Sequence, residues 1–351
     1  MNKFISINEE YQNQWTEFVS AHKNGNFFQT YEYYSLFEKE QKNKAFAYAL
    51  IENGNILGLI VGVLESNLFG PLEKYTRRAI VRGGPLVLND EPDILNALMT
   101  NLVNEMEHRC IYLQIRNLFN TENFKNYFEE LGFNYIPHLD ILMDLTQSEE
   151  AIKKGINSNR RGNINKSINK GTIFKELIGN DEIKKGIDLI HETYKRVKLP
   201  VPKSFFFLNA FKLLNKKKLL RIFGAYVDNI LIGVRFELCY KDTIYDWFAG
   251  SNLDYKNRYP NDYLPYQILI WGKNNGFRIF DFGGAGKPNV PYGVREHKMK
   301  FGGELVEYGR YQIINNGLVY NAGKNFFQLL KKTNDCKWHI IILMQTKSMV
   351  F

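Results

Sequence analysis

The sequence predicts a mixed α/β protein (α+β in class) made of two tandem copies of one unit, mixed sheets flanked by helices. The same order of elements runs twice, about 170 residues apart. Short apolar or alternating stretches bounded by Gly, Asn and Pro are interleaved with amphipathic helix patterns. The 351 residues, 44% hydrophobic and 15% aromatic, exceed one typical domain and suffice for two cores. The expected boundaries are 1–147 for the first unit, 148–333 for the second and 334–351 for a tail outside both.

In the first copy, residues 1 to about 45 read as helical, with an aromatic stripe from Phe28 and Gln29 through Tyr31, Tyr33 and Tyr34 to Phe37. Ala45–Leu50, a turn at Glu52-Asn53-Gly54-Asn55 and Ile56–Val63 carry a hairpin signal. A third strand precedes Arg82-Gly83-Gly84-Pro85. Glu91–Glu107 is a helix with Pro92 in its first turn, Cys110–Ile115 a strand, Asn123–Leu131 a helix stopped by Gly132, and Tyr135–Leu145 a closing strand.

The second copy echoes each piece. Asn229-Ile230-Leu231 repeats the hairpin turn, and Tyr245–Gly250 stands where Ile80–Gly84 stood. Asp262–Asn274 answers the helix, Phe277–Phe282 the strand, and Phe301-Gly302 the helix stop. Between the copies, Ile152–Gly171 reads as one helix, apolar on the Ile152, Ile156, Ile164, Ile168 side and cationic elsewhere through Lys153, Lys154, Arg160, Arg161, Lys166 and Lys170. Such a face either binds phosphate or is merely solvated. Lys195-Arg196-Val197-Lys198 and Lys216–Lys218 are further basic clusters.

Charge separates the halves. Residues 1–150 hold 12 Lys/Arg against 21 Asp/Glu, leaving 34 against 16 for the remainder, so the second half is the one expected to meet phosphate or nucleic acid. Cys110, Cys239 and Cys336 are widely spaced without a CxxC, as expected of reduced thiols in the cytoplasm. No signal-peptide pattern or spanning apolar run is legible, which limits membrane contact to peripheral attachment at the inner surface. Histidine spacing offers no metal site. Asp281-Phe282-Gly283 spells a kinase motif without the loops that must accompany it, and Arg221–Ala225, which partly matches a pyrophosphate loop, reads as strand interior.

The stretch richest in chemistry is Phe277–Gly284 followed by Gly293–Gly303. An apolar strand opens into Gly283-Gly284, where a ligand can approach the main chain, and Arg295, Lys298 and Lys300 follow on a short helix stopped by Gly302. An ordinary strand-to-helix turn with a solvated basic helix is the alternative.

With Phe28-Gln29, Arg82-Gly83-Gly84-Pro85, Arg160–Gly171, Tyr245–Asn252, Asp281–Gly284 and Lys298-Met299-Lys300-Phe301-Gly302-Gly303 in this order, the chain resembles the FemABX peptidoglycan-bridge aminoacyltransferases, twin GNAT-like (acyl-CoA N-acyltransferase-like) proteins, to about residue 330. The resemblance implies transfer of an amino acid from aminoacyl-tRNA to an amine of a lipid-linked or nucleotide-linked cell-wall precursor, without metal or dissociable cofactor. It puts Lys298 at the family's lysine, which steadies negative charge during acyl transfer; His297 replaces the aromatic residue before it and introduces a titratable group. Asp281 and His297 are the candidates for taking the amine's proton, and Asp281 is equally readable as a cap on the glycine turn. Arg160, Arg161, Lys195 and Arg196 are expected to hold phosphates, with Tyr245, Gly283, Gly284 and Arg295 beside the substrate. At the position after the Gln-aromatic run where the family places a lysine, Leu36 and Phe37 stand instead. Two other readings remain open: a coenzyme A or acyl-carrier donor acylating an amino sugar, and a non-catalytic RNA-binding module.

Overall fold

The computed structural model of the chain describes residues 2–38, 43–66 and 70–332. They form two compact units, one running to His138 and resuming at Glu307, the other spanning Leu139–Val306. Each unit is organised around one sheet.

Both sheets contain a hairpin made the same way. Lys44–Glu52 pairs with Asn55–Glu65, and Leu220–Val227 with Ile230–Tyr240. Asn53-Gly54 and Asp228-Asn229 occupy the turns with positive φ at both residues, the geometry of a two-residue hairpin that matches strand twist. Each hairpin carries a bulge in its second strand close to the turn, with Leu57 extra opposite Leu50 and Ile51, and Ile232 extra opposite Ala225 and Tyr226. An antiparallel third strand follows, Arg78–Arg82 or Thr243–Ser251. A helix then crosses over, Pro92–Met106 or Pro260–Asn274, each opened by a proline whose missing N–H is not needed there. In the first, Leu95, Leu98, Met99, Leu102 and Met106 recur at helical spacing and are buried on the sheet. The chain returns parallel to the third strand as Tyr112–Arg116 or Ile279–Gly286.

The duplication expected from sequence is therefore present, but the boundaries lie elsewhere. The predicted closing strand at 135–145 is two strands. Asn134–Ile136 belongs to the first sheet and Leu139–Asp144 pairs antiparallel with Ile279–Gly286 in the second. Pro137, which lacks a ladder donor, lies at the break. Conversely Arg310–Ile314, assigned by position to the second copy, lies in the first sheet between Tyr112–Arg116 and Asn134–Ile136. Residues 139–147 thus leave the first unit and residues from 307 join it; the predicted tail at 334–351 lies outside the described residues. The predicted basic helix is likewise two, Glu149–Gly155 and Ser158–Asn169, the second opened by Asn157, whose side chain caps it. Residues 1–45, read as helical, also contribute an edge strand, Lys3–Ser6. Arg221–Ala225 is strand interior, as expected.

Candidate active site

In the second unit the parallel strands Thr243–Ser251 and Ile279–Gly286 pair at only three positions, the last being Tyr245 with Asp281. Beyond it they part, and a pocket of about 220 Å³ lies there, lined by Asp246 and Phe282 from the separating strands. Arg235 comes from the neighbouring strand, and Gly293, Val294, His297 and Lys298 from the short helix Gly293–Met299; Phe301 completes the wall.

Lys298 is 7% exposed, and its ammonium Nζ donates to the Gly284 carbonyl at 3.3 Å. Burial lowers its pKa below that of an ordinary lysine, against the opposing pull of Asp246, Asp140 and Asp281. Asp246 receives the Arg235 guanidinium at 2.6 Å. Glu237, opposite Asp246 in the sheet, is wholly buried, with neither oxygen hydrogen-bonded among the described residues and Arg235 at 3.9 Å. Burial and the nearby Asp246 charge hold its carboxyl well above the usual range.

Asp281 caps the glycine turn, accepting from the Gly283 N–H at 2.6 Å. Gly283 has φ +74° within a bulge of its strand, a conformation that costs a side-chain-bearing residue about 1–2 kcal/mol. Burial first, then the negative charge of Asp140, raise the Asp281 carboxyl well above its ordinary value. Asp281 is not among the residues that line the pocket, whereas Asp246 is.

His297 is not the titratable group expected. Burial first, then Arg160, push its pKa down to about 4. A guanidinium can only donate, so the Arg160 contact at 2.8 Å makes Nδ1 the acceptor and leaves the proton on Nε2. Arg160 is itself committed, by an ion pair to the buried Asp262, which also receives the Asn163 amide at 2.7 Å. It also sits over the ring of Phe301, which lines the pocket. Arg161 donates to the carbonyls of Lys154 and Ile156, bracing the two helices it joins. Arg295 fastens the loop after the strand through the carbonyls of Ala285, Lys287 and Val290. Tyr245 is buried at the last paired position, Gly284 supplies the carbonyl that holds Lys298, and exposed Lys195 and Arg196 are not among the lining residues.

A family model described as "Acetyltransferase (GNAT) domain" matches residues 158–298. FemX matches at a TM-score of 0.73 and 14% identity, over 91% of this chain and 99% of its own. L-PGS from Bacillus licheniformis matches at 0.58 and 16%, over 87% and 92%. A tandem GNAT protein from the clavulanic acid biosynthesis pathway matches at 0.58 and 12%, over 90% and 99%. Among curated sequences none matches significantly. The chain has a tandem GNAT fold. The match falls within the second unit, and the pocket lies where that unit's two parallel strands diverge.

Arg235, Asp246, Asp140 and Glu237 went unnominated in the sequence. Their signal was there: charged residues inside apolar strands, Arg235 and Glu237 within Ile230–Tyr240, Asp246 between Tyr245 and Trp247, Asp140 between Leu139 and Ile141. A charge with apolar neighbours on both sides and no turn nearby is buried for a reason. Among the described residues no three His, Cys, Asp or Glu group to hold a metal ion, and no helix is long and apolar enough to cross a membrane.

Proposed function

We propose that the chain is an acyltransferase that moves an aminoacyl group from aminoacyl-tRNA to an amine of a cell-wall precursor, in the cytoplasm, using the second GNAT unit. The observation that carries the reading is Lys298, an ammonium buried at the wall of a pocket between diverging strands. As the amine nitrogen bonds to the ester carbonyl carbon, the carbonyl oxygen becomes an oxyanion. Lys298, held by Gly284 and with further N–H groups to give, stabilises it. The ester C–O bond then breaks, and the ribose oxygen leaves as a hydroxyl on taking up the proton that the amine sheds. The proton shed by the amine needs only a weak acceptor, and Asp246 is the carboxylate on the pocket wall. Arg235 keeps Asp246 in place, and Arg160 keeps His297 neutral and fixed. No group other than the two substrates enters this scheme.

The test is transfer of a labelled amino acid from charged tRNA to a panel of lipid-linked and nucleotide-linked muropeptides. Product with at least one acceptor, lost in Lys298→Met, is the expected result; no transfer to any acceptor overturns the reading. The match to an acetyltransferase domain favours a second reading, in which an acyl-coenzyme A donor acylates an amino sugar. Replacing charged tRNA by acyl-coenzyme A in the same assay separates the two.

A further inference from the structure

Residues 195–218 hold eight Lys or Arg and no Asp or Glu, within the acid-free stretch that carries the most cations in the chain. They form the end of the helix Asn180–Arg196, a turn through Leu199-Pro200-Val201-Pro202, the helix Ser204–Leu214 and the turn after it. The turn is ordered. Lys198 takes a left-handed conformation, the Leu199 N–H closes on the Tyr194 carbonyl at 2.9 Å, and His191 bonds the Pro202 carbonyl at 2.8 Å.

Apolar side chains are left outside. Phe206 and Phe207 are buried, the latter 4.8 Å from the Phe248 ring, and they pin the second helix. Phe205 beside them is 64% exposed and follows exposed Lys203 by two residues; Val197 is 52% exposed and lies between exposed Arg196 and Lys198. We propose that this segment seats the protein on an anionic lipid surface, Phe205 and Val197 entering the interface while Lys195, Arg196 and Lys203 meet headgroup phosphates. Charge complementarity names the partner: cations with no acid among them attract a negatively charged leaflet, and exposed apolar side chains beside them gain by leaving water there. RNA would satisfy the cations but not Val197, which has no ring for a base to stack on. This attachment stands without the proposed activity, because vesicle binding is measured with no acyl donor present.

The experiment is co-sedimentation of the full chain with vesicles of phosphatidylcholine alone or mixed with phosphatidylglycerol, at low and high salt. Binding that requires phosphatidylglycerol and weakens with salt is expected. Phe205→Ser combined with Val197→Ser lowers the partition about tenfold, and Lys195→Glu with Lys203→Glu lowers it further. Phe205→Trp gains a blue-shifted emission component on adding the anionic vesicles. Absence of sedimentation with those vesicles overturns the proposal, as does sedimentation indifferent to the Phe205 and Val197 changes. Retention of RNA without vesicle binding overturns it too, by assigning the cations to nucleic acid.

Discussion

In the first unit the parallel strands Arg78–Arg82 and Tyr112–Arg116 pair as far as Arg82 with Arg116, and the ladder continues through the Gly83 N–H to the Arg116 carbonyl. In the second unit their counterparts separate after Tyr245 and Asp281. The electrostatics are opposite as well. The closed pair is surrounded by three buried arginines, Arg78, Arg82 and Arg116, with Glu65 among them receiving Arg78 at 2.9 Å and Arg82 at 2.7 Å. The open pair gathers four carboxyls, Asp140, Glu237, Asp246 and Asp281, around Arg235 and Lys298. Even the resemblance-bearing residues divide this way. Gln29 in the first unit receives the Val61 N–H and donates to the Arg82 carbonyl, and Gly83 has no room for a Cβ beside Asn26, so both serve the closed sheet. Two copies of one plan have been spent differently, one on a sealed sheet and one on a pocket.

The largest effect that would break this contrast is on stability. Burial alone would raise the Glu65 carboxyl, but Arg82 and Arg78 outweigh it and hold its pKa down to about 2. Glu65→Gln leaves two buried guanidiniums without their counter-charge, at a cost of about 3–5 kcal/mol. The sign with pH follows from the depressed value. The stabilisation is fully present above the ordinary carboxylate range and is lost as pH falls from there towards about 2, so wild type loses stability on acidification that the variant has already lost. Urea unfolding across that range measures both; equal acid sensitivity of the two proteins would show that Glu65 is not the sealing charge.

Next in size is Lys298→Met in the open unit. Its alkyl chain fills the same wall, so the fold and melting temperature are expected to hold within about 1 kcal/mol, while transfer falls about 10²–10³-fold through loss of the oxyanion partner. Single-turnover transfer beside a thermal melt distinguishes chemistry from packing. Wild-type turnover in this variant would confine the pocket to binding.

Sequence pattern revealed the duplication because turns and crossover helices are local: Asn53-Gly54, the apolar face from Leu95 to Met106 and Pro92 each report on their neighbours alone. It misplaced Leu139–Asp144 and Arg310–Ile314 because choice of sheet is settled by long-range pairing, and either strand's alternation suits either sheet. Lys298 was found through the motif it belongs to. The ion pair of Arg160 with Asp262 was not legible because it spans 102 positions, and a basic residue in a basic run gives no hint of a buried carboxylate so far away.

The smallest effect discriminates most finely between the units, because it concerns a titration only the open one offers. Burial lowers the Lys298 pKa, and Asp246 is the strongest influence raising it again. If the ammonium is the working form, activity declines as pH rises through a value below that of ordinary lysine. Asp246→Asn deletes a negative charge beside a cation, which disfavours the ammonium and moves that alkaline limb to lower pH still, in addition to slowing proton transfer. Lys298→Arg, charged at every pH of interest, removes the limb from whatever activity it retains. Profiles of kcat/KM from neutral to alkaline pH for the three proteins measure the order Asp246→Asn, wild type, Lys298→Arg; a limb that ignores both substitutions belongs to another group, and Lys298 would then not act through its charge.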